Sequence, residues 1–263
     1  MTDNLISRRT SLGLIGMGVA TLLFNKTAFS KDFPRHIITL SFDDGFEKSS
    51  IKTAEMFSKY GIHACINVIA KAHEKNFPLP NEYHDWKVAD FSLWNDLKLK
   101  GHEIMPHGLI HEDYTLLSLD DAKKSILECL DIFTHELNGF KPDQSIFNFP
   151  YNRSNPEIED WLKTTVRAFR TGGAMVNALP SKDQKKLTCI SQGPENIDKY
   201  LDSVTTDFLT GPEGWMIFNT HGLDDEGWGP LTSAFLDEYL DKHNKNKSVE
   251  ILTVTEALDT IGI

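Results

Sequence analysis

Short apolar runs and amphipathic stretches alternate along the chain from residue 36 onward. The run His36–Phe42 is rich in β-branched residues and predicts a strand. The apolar positions over residues 49–60 have helical spacing, and Gly61 ends that helix. Residues 62–69 again have the composition of a strand. Repeated strand-then-helix units predict an α/β fold with a parallel sheet or barrel.

The same alternation continues to the C-terminus. Further strands are predicted over residues 103–107, 145–149, 166–170, 187–191, 215–220 and 249–254. Further helices are predicted over residues 91–99, 118–137, 156–163, 197–209 and 231–243, and residues 71–87 form a polar insertion. In parallel barrels the catalytic groups lie at the carboxyl ends of the strands, so those positions are where candidate chemistry is sought.

The first thirty residues have the pattern of an export signal. Paired arginines, Arg8 and Arg9, precede an apolar run over residues 12–24 that contains three glycines. A run of this length is too short to span a bilayer comfortably, and paired arginines before a weakly apolar run are typical of the twin-arginine route. We therefore expect a twin-arginine-type signal peptide over residues 1–30, cleaved near Ser30; an uncleaved membrane anchor is the alternative.

Composition and charge narrow the classes of partner. The 263 residues are 40% hydrophobic and 25% charged, as in a soluble globular enzyme, and the formal net charge is -11. A nucleic-acid partner requires a basic face, so none is expected. After export, residues 31–263 would lie in the periplasm or outside the cell, with no stable membrane span. The cysteines Cys65, Cys129 and Cys189 could form one bridge at most and are expected to be small buried residues.

Acidic residues and histidines gather at the ends of three predicted strands. Asp43 and Asp44 directly follow the first strand, and two adjacent carboxylates repel each other unless a cation compensates. His107 and His111 follow the third strand, and their imidazoles would share one face if the segment turned helically. His221 ends a late strand. This set predicts a metal centre at the catalytic rim.

Four segments at strand ends resemble the motifs of one family. The segments are Ser-Phe-Asp-Asp-Gly at 41–45, His-Gly-Leu-Ile-His at 107–111, Phe-Pro-Tyr at 149–151 and Thr-His-Gly at 220–222. In order and spacing they resemble the first, second, third and last motifs of NodB-homology polysaccharide deacetylases, carbohydrate esterase family four. The resemblance implies a single distorted (β/α) barrel over residues 31–263. It also implies metal-dependent hydrolysis of N-acetyl or O-acetyl groups on a polysaccharide or oligosaccharide.

The resemblance assigns a role to each matching residue. Asp44, His107 and His111 resemble the ligands of a divalent metal, for which zinc is expected first although other transition metals fit the same set. Asp43 resembles the general base that takes a proton from water, and His221 resembles the general acid that protonates the leaving group.

The third motif implies how the reacting carbonyl oxygen is stabilised. The backbone N–H of Tyr151, after Pro150, resembles the donor to the oxyanion. Trp228 lies near the rim in sequence and could either stack on a sugar ring or cap the barrel; the sequence does not separate these two roles.

Two departures from the family pattern concern the base and the acid. The third motif usually begins with an Arg that pairs with the base, but Asn148 occupies that position. Arg170, at the end of the next predicted strand, is the candidate replacement; a pairing with a surface carboxylate is the alternative. No clear equivalent of the Asp that orients the acid histidine is present in residues 166–174. An acid in residues 224–226 could serve, although a solvated acidic loop is the expected state of that segment.

These departures leave two other functions open. One is a catalytically silent carbohydrate-binding protein on the same barrel, and the other is a metal-dependent hydrolase of a non-sugar amide. An open groove at the site would suit a polymer, whereas a closed cup would suit a small amide.

Overall fold

The computed structural model describes residues 36–77 and 86–260. The strands are β1 (His36–Phe42), β2 (Cys65–Val68), β3 (Glu103–Pro106), β4 (Ile146–Asn148), β5 (Ala168–Gly172), β6 (Val176–Asn177), β7 (Lys186–Ser191), β8 (Gly214–Thr220) and β9 (Val249–Ile251). The helices are α1 (Glu47–Lys59), α2 (Phe91–Leu99), α3 (Leu119–Glu136), α4 (Pro156–Leu162), α5 (Asp198–Thr210), α6 (Ser233–Asn244) and α7 (Val254–Asp259).

The main strands form one parallel sheet in the order β3-β2-β1-β8-β7-β5-β4. β1 and β8 pair along their whole length, from His36 opposite Gly214 to Phe42 opposite Thr220. The short strand β6 runs antiparallel beside β8, and β9 runs parallel beside the first half of β1. Because β1 and β8 end at the same level, the residues that follow them meet at the rim.

Side chains, rather than a strand ladder, join the two ends of this sheet. The backbone N–H of Ile146 in β4 points to the sulfur of Met105 in β3 at 3.4 Å, and Nδ2 of Asn148 lies 3.4 Å from the carbonyl oxygen of Pro106. Nδ1 of His107 donates to the carbonyl oxygen of Asn148 at 3.0 Å. The sheet thus curls into a nearly closed, distorted (β/α) barrel, and the expected fold is confirmed.

The barrel interior changes from apolar at the base to polar at the rim. Ile37 of β1 packs in an inner cluster with Trp215 of β8, and Val254 at the start of α7 closes the base of that cluster. Ile38, the next residue of β1, belongs instead to the larger cluster between sheet and helices, as expected from the alternation of side chains along a strand. One level higher, the Trp215 indole N–H donates to Thr39 at 2.9 Å.

Most predicted elements are present with shifted ends, but two were missed. The predicted strand over residues 62–69 is confined to Cys65–Val68. The strand predicted over residues 249–254 ends at Ile251, and α7 follows it behind a capping box of Thr253 and Glu256. The two-residue strand β6 has no visible sequence pattern. All three cysteines are free and buried, as expected.

Two sequence predictions fall outside the described residues. The signal peptide over residues 1–30 lies wholly outside them, and the polar insertion over residues 71–87 lies partly outside. None of the helices within residues 36–77 and 86–260 has the length and apolarity needed to cross a membrane.

Candidate active site

Asp43 and Asp44 lie where the ladder between β1 and β8 stops. The backbone N–H of Asp43 donates to the carbonyl oxygen of Thr220 at 2.9 Å. Asp44 then takes φ 75° and Gly45 φ 78°, a left-handed conformation that turns the chain sharply away from the strand. Both aspartates are buried, so their charges require partners within the protein.

His107 and His111 converge through an irregular turn. The helical turn considered for residues 107–111 is absent; the segment leaves β3 with φ 82° at Gly108 and φ 61° at His111. A Cβ atom at Gly108 would lie 2.9 Å from Cγ of Pro150, so glycine permits both the backbone conformation and the close packing of the third motif. The two imidazole centroids lie 5.1 Å apart.

Asp44, His107 and His111 form a cluster with the donor set of a metal site. Nε2 of His107 and Nε2 of His111 lie 3.5 and 3.4 Å from Oδ1 of Asp44, and one ligand atom from each residue lies within 4.8 Å of the others. Among the described residues, that buried Oδ1 has no hydrogen-bond partner. An unmatched carboxylate oxygen facing two imidazole nitrogens fits a divalent cation.

Burial sets the protonation states of these ligands. It lowers the pKa of His107 to about 3 and that of His111 to about 4, so both rings are neutral at pH 7, as metal ligation requires. Because a carbonyl only accepts, the contact of His107 Nδ1 with Asn148 places the ring proton there and leaves Nε2 for the cluster. Burial raises the pKa of Asp44 to about 6, against the opposing effect of His221; a bound cation would favour the carboxylate form.

Asp43 is held by Arg170, the candidate replacement for the arginine of the third motif. Guanidinium nitrogens of Arg170 lie 3.1 Å from Oδ1 and 2.5 Å from Oδ2 of Asp43. Burial alone would raise the pKa of Asp43, but the Arg170 guanidinium, with His107, outweighs that effect and holds the pKa well below its usual range. Asp43 is therefore a carboxylate beside the metal cluster, with Oδ2 3.5 Å from Nε2 of His107.

A second donor to Asp43 was missed by the sequence analysis. Nδ2 of Asn67 in β2 lies 2.7 Å from Oδ1 of Asp43. Asn148 does not reach Asp43; its Nδ2 donates to Oδ1 of Asn67 at 2.8 Å. A buried amide inside the otherwise apolar run of β2 was the available sequence signal.

His221 follows β8 and lines the same cavity as His111. Its ring stands edge-on to Trp228, with centroids 5.3 Å apart. Nδ1 of His221 is buried and has no hydrogen-bond partner among the described residues. An acid that orients this histidine is therefore not found in the described part of the chain.

The acidic loop after His221 binds helix α1 instead. Asp225 pairs with Lys48 and Asp224 with Lys52, both at the surface. The carboxylate of Glu226 is buried and accepts from the backbone N–H and the hydroxyl of Ser49, both at 2.7 Å. The expectation of a solvated loop holds for the exposed Asp225 but is wrong for Glu226, which fastens the loop to the start of α1.

Several of the site residues line a cavity of about 480 Å³ at the rim of the barrel. Its walls include Asp43, Asp44, His111, Tyr151, Asn152, Arg153, Ser191, Asn219, His221 and Trp228. The Tyr151 side chain is half exposed at the mouth, and its ring lies 4.6 Å from that of His111. Trp228 packs partly on the apolar cluster around Phe46 and also faces the cavity, so packing and ligand contact are both open to it.

The sequence profile described as Polysaccharide deacetylase matches residues 30–169, which is more than half of the chain. The chain belongs to the polysaccharide deacetylase family. No curated protein matches it. The matched segment contains the aspartate, histidine-turn and Phe-Pro-Tyr motifs, whereas Arg170, His221 and Trp228 lie beyond it.

Solved structures of related deacetylases have the same fold. Peptidoglycan deacetylase PdaC from Bacillus subtilis, as its D285S mutant, is 19% identical, with a TM-score of 0.56, over 85% of this chain and 90% of that one. A family 4 acetyl xylan esterase from Clostridium thermocellum, in complex with a cobalt ion, is 18% identical, with a TM-score of 0.55, over 85% and 91%. A mutant of BA3943, a pseudoenzyme of carbohydrate esterase family four with restored activity, is 12% identical, with a TM-score of 0.52, over 86% and 69%.

The departure of this member of the polysaccharide deacetylase family from the third motif is explained by strand pairing. Asn148 in β4 lies directly opposite Arg170 in β5. Paired residues on neighbouring parallel strands project from the same face of the sheet, and the strands are only ~4.8 Å apart. A guanidinium on β5 can therefore reach Asp43, and the surface pairing considered for Arg170 is excluded by its complete burial.

Proposed function

We propose that this polysaccharide deacetylase hydrolyses N-acetyl or O-acetyl groups on a polysaccharide or oligosaccharide, with a divalent metal as cofactor. The observation that carries the proposal is the placement of Asp43, ion-paired with Arg170, beside the cluster of Asp44, His107 and His111, at a cavity whose walls include Asp43, Asp44, His111 and His221. This arrangement supplies a base, a metal site and an acid around one space.

Asp44, His107 and His111 would hold the metal. Zinc is proposed first because two neutral imidazoles and one carboxylate leave coordination positions open, although other transition metals suit the same set. When bound, such an ion supplies Lewis acidity, which lowers the pKa of water toward ~7 and polarises an acetyl carbonyl.

Asp43 is proposed as the general base. It would take a proton from the attacking water as the new C–O bond forms on the acetyl carbon. Its low pKa keeps it ionised, and the pairing with Arg170 holds the carboxylate in one orientation. A weak base is sufficient here because the water itself would be acidified.

His221 and Tyr151 would act on the other atoms of the acetyl group. His221 would donate a proton to the departing nitrogen or oxygen as the C–N or C–O bond breaks. The backbone N–H of Tyr151, after Pro150, would donate to the carbonyl oxygen as negative charge develops there. Trp228 at the cavity wall is proposed to contact the sugar.

The N-terminal sequence supports a proposal for where the protein meets its substrate. We propose that residues 1–30 direct export by the twin-arginine route, so that residues 31–263 would meet acetylated glycans in the periplasm or outside the cell. Replacement of Arg8 and Arg9 by lysine should then leave uncleaved protein in the cytoplasm, and unchanged export of that variant would point to the general secretory route.

A silent carbohydrate-binding protein is the second candidate, favoured by the unpartnered Nδ1 of His221. Acetate release from N-acetylated chitooligosaccharides, peptidoglycan and acetylated xylan separates the two functions. We expect release from at least one glycan by the metal-loaded protein, and about 100-fold or more slower release by Asp43→Asn. Asp225→Asn, in an exposed ion pair, is the matched control. Glycan binding without release would support the silent protein.

A further inference from the structure

Two buried asparagines form a directed chain of hydrogen bonds that ends on Asp43. Asn67 in β2 and Asn148 in β4 are 0% and 1% exposed. Nδ2 of Asn148 lies 2.8 Å from Oδ1 of Asn67, and Nδ2 of Asn67 lies 2.7 Å from Oδ1 of Asp43. Nδ2 of Asn67 also lies 2.7 Å from the hydroxyl oxygen of Ser41.

The groups around the two asparagines determine which atoms donate and which accept along these hydrogen bonds. The Asn148 amide nitrogen faces the carbonyl oxygens of Ile146 at 3.1 Å and Pro106 at 3.4 Å, which can only accept. Asn148 must therefore present N–H groups toward Asn67. If the Asn67 amide were reversed, its nitrogen would face the nitrogen of Asn148 and its oxygen would face the carboxylate of Asp43, so both contacts would become repulsive.

We propose that Asn67 and Asn148 are positioning residues that orient the carboxylate of Asp43 toward the water it deprotonates. The proposal rests on the proposed deacetylase function. Oδ1 of Asp43 receives N–H groups from both Arg170 and Asn67, whereas Oδ2 receives one from Arg170 and lies 3.5 Å from Nε2 of His107, on the side of the metal cluster. Arg170 supplies the compensating charge, and the two amides supply a second, neutral point of attachment.

Asn148 also connects these hydrogen bonds to the metal cluster, but it does so through its backbone carbonyl oxygen. Its carbonyl oxygen accepts from Nδ1 of His107, whereas its side chain acts on Asn67. Replacing the side chain therefore removes the action on Asn67 and keeps the backbone contact that orients His107. Effects on Asp43 and on metal binding can be separated at this one residue.

A double-mutant cycle at Asn67 and Asn148 tests this series of hydrogen bonds. A hydrogen bond to a charged group is stronger than one between neutral groups, so Asn67→Leu should lower kcat by about 30-fold, with KM changed less than about twofold. Asn148→Leu should lower kcat by about tenfold with full metal content. Since the Asn148 side chain reaches Asp43 only through Asn67, the double variant should match Asn67→Leu within about threefold. Asn177→Leu, which removes an amide on β6 away from the cavity, is the control for stability losses.

Two results would overturn the proposal while leaving the deacetylase function intact. One is a fall in kcat of about 300-fold in the double variant, the product of the two single effects. The other is an unchanged kcat in Asn148→Leu. A readout without turnover covers the case in which no glycan is deacetylated. In the unmodified protein, the side-chain amide protons of Asn67, assigned by their loss in Asn67→Leu, should exchange slowly with solvent in NMR spectra. Asn148→Leu should speed that exchange at least about tenfold, and equally slow exchange in that variant contradicts the chain.

Discussion

Arg170 and Asp43 form an ion pair that is closed to solvent on both sides. The guanidinium is 0% and the carboxylate 2% exposed as side chains. In such surroundings each charge depends on the other, because removing one partner leaves an unpaired buried charge that costs ~3–5 kcal/mol. The pair therefore carries both the ionisation of Asp43, the proposed base, and a share of the stability of the barrel.

We predict that Arg170→Ala lowers the free energy of unfolding by about 3–5 kcal/mol and also lowers kcat. Urea unfolding and acetate release measure the two effects. Arg167→Ala, which breaks the partly exposed pair with Asp259, is the matched control and should cost less than about 1 kcal/mol. Similar losses in both variants would show that the Asp43 pair has no special role.

Some residues of the site could be predicted from the sequence and others could not. Asp43, Asp44, His107 and His111 follow strands, where a parallel barrel collects its functional groups, and the structure brings them together. Asn67 lies inside a strand whose other residues are apolar or small, and no local pattern shows that its amide faces a carboxylate from the neighbouring strand. Its role depends on the register of β1, β2 and β4, which only the folded chain defines.

Helix α1 receives its N-terminal cap from the loop that follows His221. Phe46, at the N-cap position, provides no side-chain hydrogen bond. The buried carboxylate of Glu226 instead accepts from the backbone N–H of Ser49 in the first turn, where helix dipoles favour negative charge. One contact therefore caps a helix and fixes the loop that begins at the proposed acid.

We predict that Glu226→Gln lowers the free energy of unfolding by about 1–2 kcal/mol, because the charge at the helix end is lost while the shape is kept. The anchor of the His221 loop also weakens, so kcat should fall more than KM rises. Thermal unfolding and steady-state kinetics measure both effects. Asp225→Asn on the same loop is the control, and equal effects of the two changes would contradict a special function of the buried acid.

His102, just before β3, makes stability depend on pH. Its Nδ1 accepts from the backbone N–H of Ala64 at 3.0 Å, and burial lowers the pKa of His102 to about 4. At a pH below the ordinary pKa of 6.5, His102 binds a proton in the unfolded chain but not in the folded chain. The free energy of unfolding should therefore fall as the pH drops from about 6.5 toward about 4.

The test is the slope of unfolding free energy against pH in the His102→Asn variant. Between pH 4.5 and 6 the slope should be smaller than in the unmodified protein, by up to about 1.4 kcal/mol per pH unit, which corresponds to one proton. His135→Asn, at an exposed position on α3, is the control for the substitution itself. A slope unchanged by His102→Asn would mean that this histidine is protonated equally in both states.

Helices and strands could be predicted from the sequence where the local residue pattern determines them, and two segments show where it does not. The capping box before α7 is readable in the sequence but was absorbed into a predicted strand, because the apolar run over residues 249–254 continues past the true end of β9 at Ile251. The turn over residues 107–111 was misjudged because its conformation depends on contact between Gly108 and Pro150, which lie far apart in sequence.

At the scale of the whole molecule, the fold class follows from strand and helix alternation, but the closure of the barrel does not. β3 and β4 are the two ends of the strand order, and they meet through the side chains of Met105, His107 and Asn148. Two of these residues also serve the site. The position where the barrel departs from regular pairing is therefore also the position where the candidate metal cluster and the proposed base are joined.

The most direct test of the account is acetate release measured as metal is returned to chelator-stripped protein. We predict negligible release without metal and a rate that rises in proportion to added zinc or cobalt until one equivalent is bound. Asp43→Asn should bind the same single equivalent with a kcat lower by about 100-fold or more, whereas His107→Ala should fail to bind it. Equal rates from stripped and loaded protein would contradict metal-dependent deacetylation at this site.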